Sequence, residues 1–85
     1  MHEMGIASSI VDAVRKEQAR YPGSRALKVG VRIGEFAGVD SESLRFCFDA
    51  IVKHSSLEPL GLGIERSGGD ELDLAWIELD DEVRV

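Results

Sequence analysis

Cysteine is nearly absent from this 85-residue chain: Cys47 stands alone. A single thiol forms no intramolecular disulfide and no cysteine-based zinc cage, and it suits a reducing cytosolic compartment. Histidine is almost as scarce, with only His2 and His54, and no His-Glu-x-x-His pair is present. The glycines form neither a phosphate-binding loop nor a dinucleotide fingerprint, and Gly61-Leu62-Gly63 enters a strand rather than a helix. No nucleophile, base and orienting group can be assembled from these residues, so an enzyme is not expected. No apolar run approaches the roughly 18 residues of a membrane span. The start, Met-His-Glu-Met-Gly-Ile-Ala-Ser-Ser, lacks a basic segment followed by an apolar one, so an uncleaved N-terminus is expected. Basic residues are also short, 10 against 16 acids, and a net charge of −6 argues against nucleic acid or an anionic membrane as partner.

The charge that is present is unevenly placed. Residues 1 to 64 balance, and the whole excess lies in residues 65 to 85, where eight acids are matched in sequence only by Arg66 and Arg84. A solvated sheet edge is the simpler reading of this strip, and an electrostatic docking edge the other. A chain this short supports one core.

Apolar residues at Met4, Ala7, Ile10, Val11 and Val14 recur at helical steps, predicting an amphipathic helix from Met4 to Arg20 that Tyr21-Pro22-Gly23 stops. Leu27, Val29, Val31 and Ile33 alternate with Lys28, Gly30, Arg32 and Gly34, the pattern of a strand buried on one face. After a loop at 35–39, Asp40-Ser41-Glu42-Ser43 supplies cap candidates for a second helix through Leu44, Cys47, Phe48 and Ile51, ending near His54. Leu60, Leu62 and Ile64 predict a short strand, and Gly68-Gly69-Asp70 a tight hairpin turn into a third. The phase of the third strand breaks at Trp76-Ile77, which predicts a bulge or edge there. The order αβαββ makes an α+β domain of two layers, with two helices on one face of a three-stranded mixed sheet. Cys47, the phenylalanines and Trp76 are expected to pack in the core or at its edge, and His54 to sit at the end of the second helix.

His2 is the unusual residue. An imidazole directly after a free α-amine offers a chelator of the Met1 amine, the His2 ring and a backbone amide that a transition metal helps to deprotonate. Planar nitrogen coordination of this kind suits Ni(II) or Cu(II) and disfavours Zn(II) and Mg(II).

Met-His-Glu-Met at the start, Ile33-Gly34-Glu35-Phe36-Ala37-Gly38-Val39-Asp40 and Leu44-Arg45-Phe46-Cys47-Phe48-Asp49 together resemble the HypA/HybF family of hydrogenase nickel-insertion proteins. Gly69-Asp70-Glu71-Leu72 to Leu79 resembles that family's last strand. The resemblance implies a metallochaperone that delivers Ni(II) to the precursor of the [NiFe]-hydrogenase large subunit. Its implied partners are a nickel-handling GTPase and, in some lineages, urease maturation factors. It implies a metal site in which Met1 supplies the amine, His2 the imidazole and Glu3 a backbone nitrogen, the Glu3 side chain being a further candidate, with Asp40 as either an additional ligand or a helix cap. The chain departs from the family where two Cys-x-x-Cys pairs should build a zinc module between the second and third strands: residues 67–70 pass straight through as a turn. No zinc is expected, and residues 1–85 read as a single nickel-binding domain, either a natural zinc-less relative or one with the module excised. The competing reading is a metal-free protein-interaction module of the same fold, with the acidic third strand as its docking edge.

Overall fold

The computed structural model describes residues 2–81, of which Asp81 is described in its backbone only. Helix α1 (Glu3–Ala19) leads to strand β1 (Ser24–Gly34), helix α2 (Ser41–Val52), β2 (Gly61–Ser67) and β3 (Leu72–Asp81). The strands lie in the order β2-β1-β3, with β1 parallel to β2 and antiparallel to β3. Both helices cover one face of this mixed sheet, the α+β arrangement that the hydrophobic periods predict.

The core follows from those periods. Ala7, Ile10, Val11 and Val14 of α1 and Leu44, Phe48 and Val52 of α2 are buried against Val29, Val31 and Ile33 of β1. Each large side chain taken fully out of water here contributes roughly 1.5–3 kcal/mol. Cys47 is half-buried against the same cluster. Met4, by contrast, is 51% exposed and stands off the apolar stripe.

Two bulges change the alternation read from the sequence. The first falls at Leu27 between the pairs Ala26↔Leu79 and Lys28↔Glu78, so Ala26 is buried and Leu27 is turned out. The second falls at Ala75, between Gly30↔Trp76 and Val31↔Leu74. It is the bulge expected at Trp76-Ile77, placed one residue before Trp76. Its effect is that Leu72, Leu74, Ile77 and Leu79 share the helix side, whereas Trp76 lies on the helix-free side with Gly30.

Gly30 makes room on β1 for the Trp76 ring. A Cβ on Gly30 would stand 2.2 Å from the Trp76 indole, so the ring lies across the bare backbone there, and it continues over Gly63 on β2. Its Nε1–H donates to Glu65 Oε2 at 3.0 Å. Phe36 and Phe46 are both 74% exposed, so only Phe48 of the three phenylalanines is core.

The predicted hairpin between β2 and β3 does not form, because β1 lies between them. Residues 68–71 instead strap across the C-terminal end of β1. Three β1-end amides hold the strap: Gly34 N–H donates to Glu71 O at 2.7 Å, Glu35 N–H to Ser67 O at 2.8 Å and Phe36 N–H to Gly69 O at 2.9 Å. The acidic strip is also less isolated than its sequence suggests. In register, Asp73, Glu78 and Asp80 of β3 oppose Arg32, Lys28 and Arg25 of β1. Opposite charges directly across a ladder are mutually stabilising.

Candidate metal centre

The N-termini of both helices meet at one end of the sheet. Asp40, the N-cap of α2, has extended backbone angles (φ −84°, ψ 110°), and its Oδ1 accepts from Glu42 N–H at 3.0 Å and Ser43 N–H at 3.2 Å. These are two of the four amides that the first turn of a helix leaves without intrahelical partners. Asp40 thus performs the capping role, one of the two readings its sequence position allows. Its own N–H donates to Glu3 Oε2 at 2.9 Å, which ties the first turn of α1 to the start of α2. That bond, together with the amide of Glu3 itself, holds the Glu3 carboxyl below its ordinary value of 4.5. Arg66 on β2 donates to Ser41 Oγ at 2.9 Å and secures α2 from the sheet side.

His2 occupies the N-cap position of α1 with extended angles (φ −89°, ψ 94°), and its imidazole is exposed and makes no capping hydrogen bond. The first helical bond of this region is Ile6 N–H to His2 O at 3.2 Å. The amides of His2 and Glu3 precede it. A helix start leaves such amides without a carbonyl to bond, so removing their protons breaks no helical hydrogen bond, and the partial positive charge of the helix N-terminus favours the deprotonated form. A planar metal that needs anionic backbone nitrogens would find both outside the helical ladder, the Glu3 amide giving up only its bond to its own carboxylate.

Side chains alone do not make a cage. Among the described residues no three His, Cys, Asp or Glu groups converge. The structure brings Glu3 to Asp40 and sets His2 one residue before Glu3, while Met1 lies outside the described residues. Cys47 packs against the core, and His54 lies beyond α2 with φ 65°, its N–H donating to Glu58 Oε1 at 3.2 Å. The Glu3–Asp40 bond is the local feature that sequence reading missed, and its signal was a carboxylate in the first turn of α1.

Fold and terminus together define a small two-layer α+β domain whose candidate metal groups are main-chain nitrogens and one imidazole at a helix start. The family model described as hydrogenase/urease nickel incorporation, metallochaperone, HypA matches residues 1–78. The chain belongs to the HypA family. It is 52% identical over 66 residues to the hydrogenase maturation factor HypA of Chlorobium limicola, covering 76% of this chain and 56% of the relative. It is 42% identical over 69 residues to the HypA of Pelodictyon phaeoclathratiforme, covering 81% and 59%. The chain thus spans somewhat over half the length of these relatives. The solution structure of the Ni metallochaperone HypA from Helicobacter pylori shares the fold, with a TM-score of 0.71 at 18% identity over 89% of this chain and 72% of that one. No helix among the described residues is long and apolar enough to cross a membrane.

Proposed function

We propose that this domain carries Ni(II) at its N-terminus and hands it to the precursor of the [NiFe]-hydrogenase large subunit, working with a nickel-handling GTPase. The ligands are the Met1 amine, the His2 ring and amide, and the Glu3 amide. The observation that carries this reading is the position of His2 and Glu3 ahead of the first intrahelical hydrogen bond, so that neither amide is committed to the helical ladder. Asp40 acts as a cap and, through its N–H, as the brace for Glu3, rather than as a ligand. The strap at residues 68–71 stands where the family resemblance places the zinc module, and the domain binds nickel without it. Relatives named as hydrogenase maturation factors and a family described by nickel incorporation support the role.

Nickel titration of the untagged protein tests the site. A yellow, diamagnetic planar species at one Ni(II) per chain is expected. It should disappear in His2→Ala and in a protein lengthened by one residue at the N-terminus, which displaces the amine. Unchanged binding in both would sink the proposed site. Transfer is tested separately, by adding nickel-loaded protein to apo large-subunit precursor and following nickel in the precursor.

A further inference from the structure

The two edges of the sheet are finished differently. On the β2 edge, Arg45 reaches from α2 and donates to the Leu62 carbonyl at 2.7 Å. On the other side β3 pairs with β1 alone, and no strand among the described residues lies along its outer edge. Its helix-side residues are incompletely covered as well. Leu72 and Leu74, in register with buried Ile33 and Val31, remain 37% and 40% exposed. Between them and the flank of α1 at Ile6, Ser9 and Ala13 runs an apolar groove of about 280 Å³. A second hollow continues it beside Ile77, Leu79 and Tyr21.

An open edge bordered by an apolar groove accepts an added strand, whose backbone pairs with the edge while alternate side chains enter the groove. Charge decides which strand fits. On the helix-free face Asp73 and Glu78 already have a base on their inner side, Arg32 and Lys28. A second copy pairing β3 with β3 would set acids beside acids, in a segment holding eight acids and two bases from residue 65 onward. A strand with Lys or Arg at alternate positions would place each acid between two bases. We propose that the outer edge of β3 docks an extended segment of a partner protein in which apolar side chains alternate with Lys or Arg, added as a fourth strand. The bulge at Ala75 interrupts the edge, so residues 76–80 form its longer continuous pairing stretch.

The test uses the full chain, isotopically labelled and metal-free, so its outcome is independent of the nickel reading. The probes are a peptide of alternating Val and Lys, the same composition with valines at helical spacing, and an alternating Val and Glu peptide. The first should shift and protect from exchange the amides of residues 72–80. Binding should weaken roughly tenfold when Asp73→Lys and Glu78→Lys are combined, with a smaller loss for Asp73→Asn with Glu78→Gln. Both acids are exposed, and unchanged spectra outside β3 would verify that the variants fold. Four results would each overturn the proposal: equal binding of the acidic peptide, preference for the helical arrangement, protection confined to another element, or self-association through β3 at the same concentrations.

Discussion

Gly34→Ala is the most exacting test of the architecture around the candidate site. A Cβ at this position would lie 2.2 Å from Gly69 O, 2.4 Å from Gly69 C and 2.8 Å from Asp70 N. All three atoms are backbone, so no side chain can swing aside and the strap itself must lift. Lifting it breaks or stretches the bonds from Gly34, Glu35 and Phe36 to Glu71, Ser67 and Gly69. At about 1 kcal/mol each, less what water restores to the exposed pair, the loss is about 2–3 kcal/mol. A domain of this size has roughly 4–13 kcal/mol in total. Urea unfolding should show the midpoint falling by about 1–3 M with an unchanged slope, and melting should fall by roughly 10–20 °C. Gly68→Ala is the control, because no atom lies within 4 Å of its Cβ position, and it should leave both nearly unchanged. A Gly34→Ala protein as stable as the parent, with the Phe36 amide still protected from exchange, would refute the close crossing of strap and strand.

Substitutions at three further positions probe the rest of the structure. Gly30→Ala puts a methyl group into the Trp76 indole and should free the ring from Glu65, at a cost of about 1–2 kcal/mol; the fluorescence of this single tryptophan should shift to the red. Glu3→Gln should be less stable than the parent at neutral pH and lose that difference in acid. The folded Glu3 carboxyl titrates below its ordinary 4.5, so its contribution is complete above that value and declines as pH falls through the lower, folded one. Asp40→Ala should cost about 1 kcal/mol through loss of the cap, whereas Asp40→Asn should keep both the cap and nickel stoichiometry; loss of nickel in Asp40→Asn would make the carboxylate a ligand.

The elements were legible in the sequence because each carries a run of apolar residues at a helical or strand period, as in Val29, Val31 and Ile33 or Leu44, Phe48 and Val52, even where a bulge later interrupts it. The strand order was not. Gly68-Gly69 reads as a hairpin because local turn chemistry does not report what lies between two strands, and here β1 does. The same limit applies to Trp76. Its neighbours Leu72 and Leu74 set a beat that the bulge at Ala75 reverses, and only the pairing with Gly30 shows on which side the ring comes to rest. The pairing of the acidic strip was hidden for a related reason: the bases that oppose Asp73, Glu78 and Asp80 lie 41, 50 and 55 residues earlier, on β1. At the candidate site, the chelating reading of His2 rests on the sequence alone, because an N-terminal imidazole needs no tertiary partner to chelate. The brace between Glu3 and Asp40 joins residues 37 positions apart and needed the fold.

Topology also explains why the parts of the candidate metal site gather at one end. β1 runs back along α1, so the start of α1 comes to lie where β1 finishes. β2 is parallel to β1 and ends at that same level, which brings its connection to β3 across the end of β1. The loop from Glu35 to Asp40 is bonded to both neighbours: Phe36 N–H to Gly69 O on the strap, and Asp40 N–H to the Glu3 carboxylate. Two hydrogen bonds and one short loop thus separate the strap from the residue that follows His2. An insertion at residues 68–71 would enter beside the candidate metal site without altering the pairing of any strand. The short strap leaves the Glu3–Asp40 bond in place, and it crosses β1 where Gly34 carries no Cβ to obstruct it.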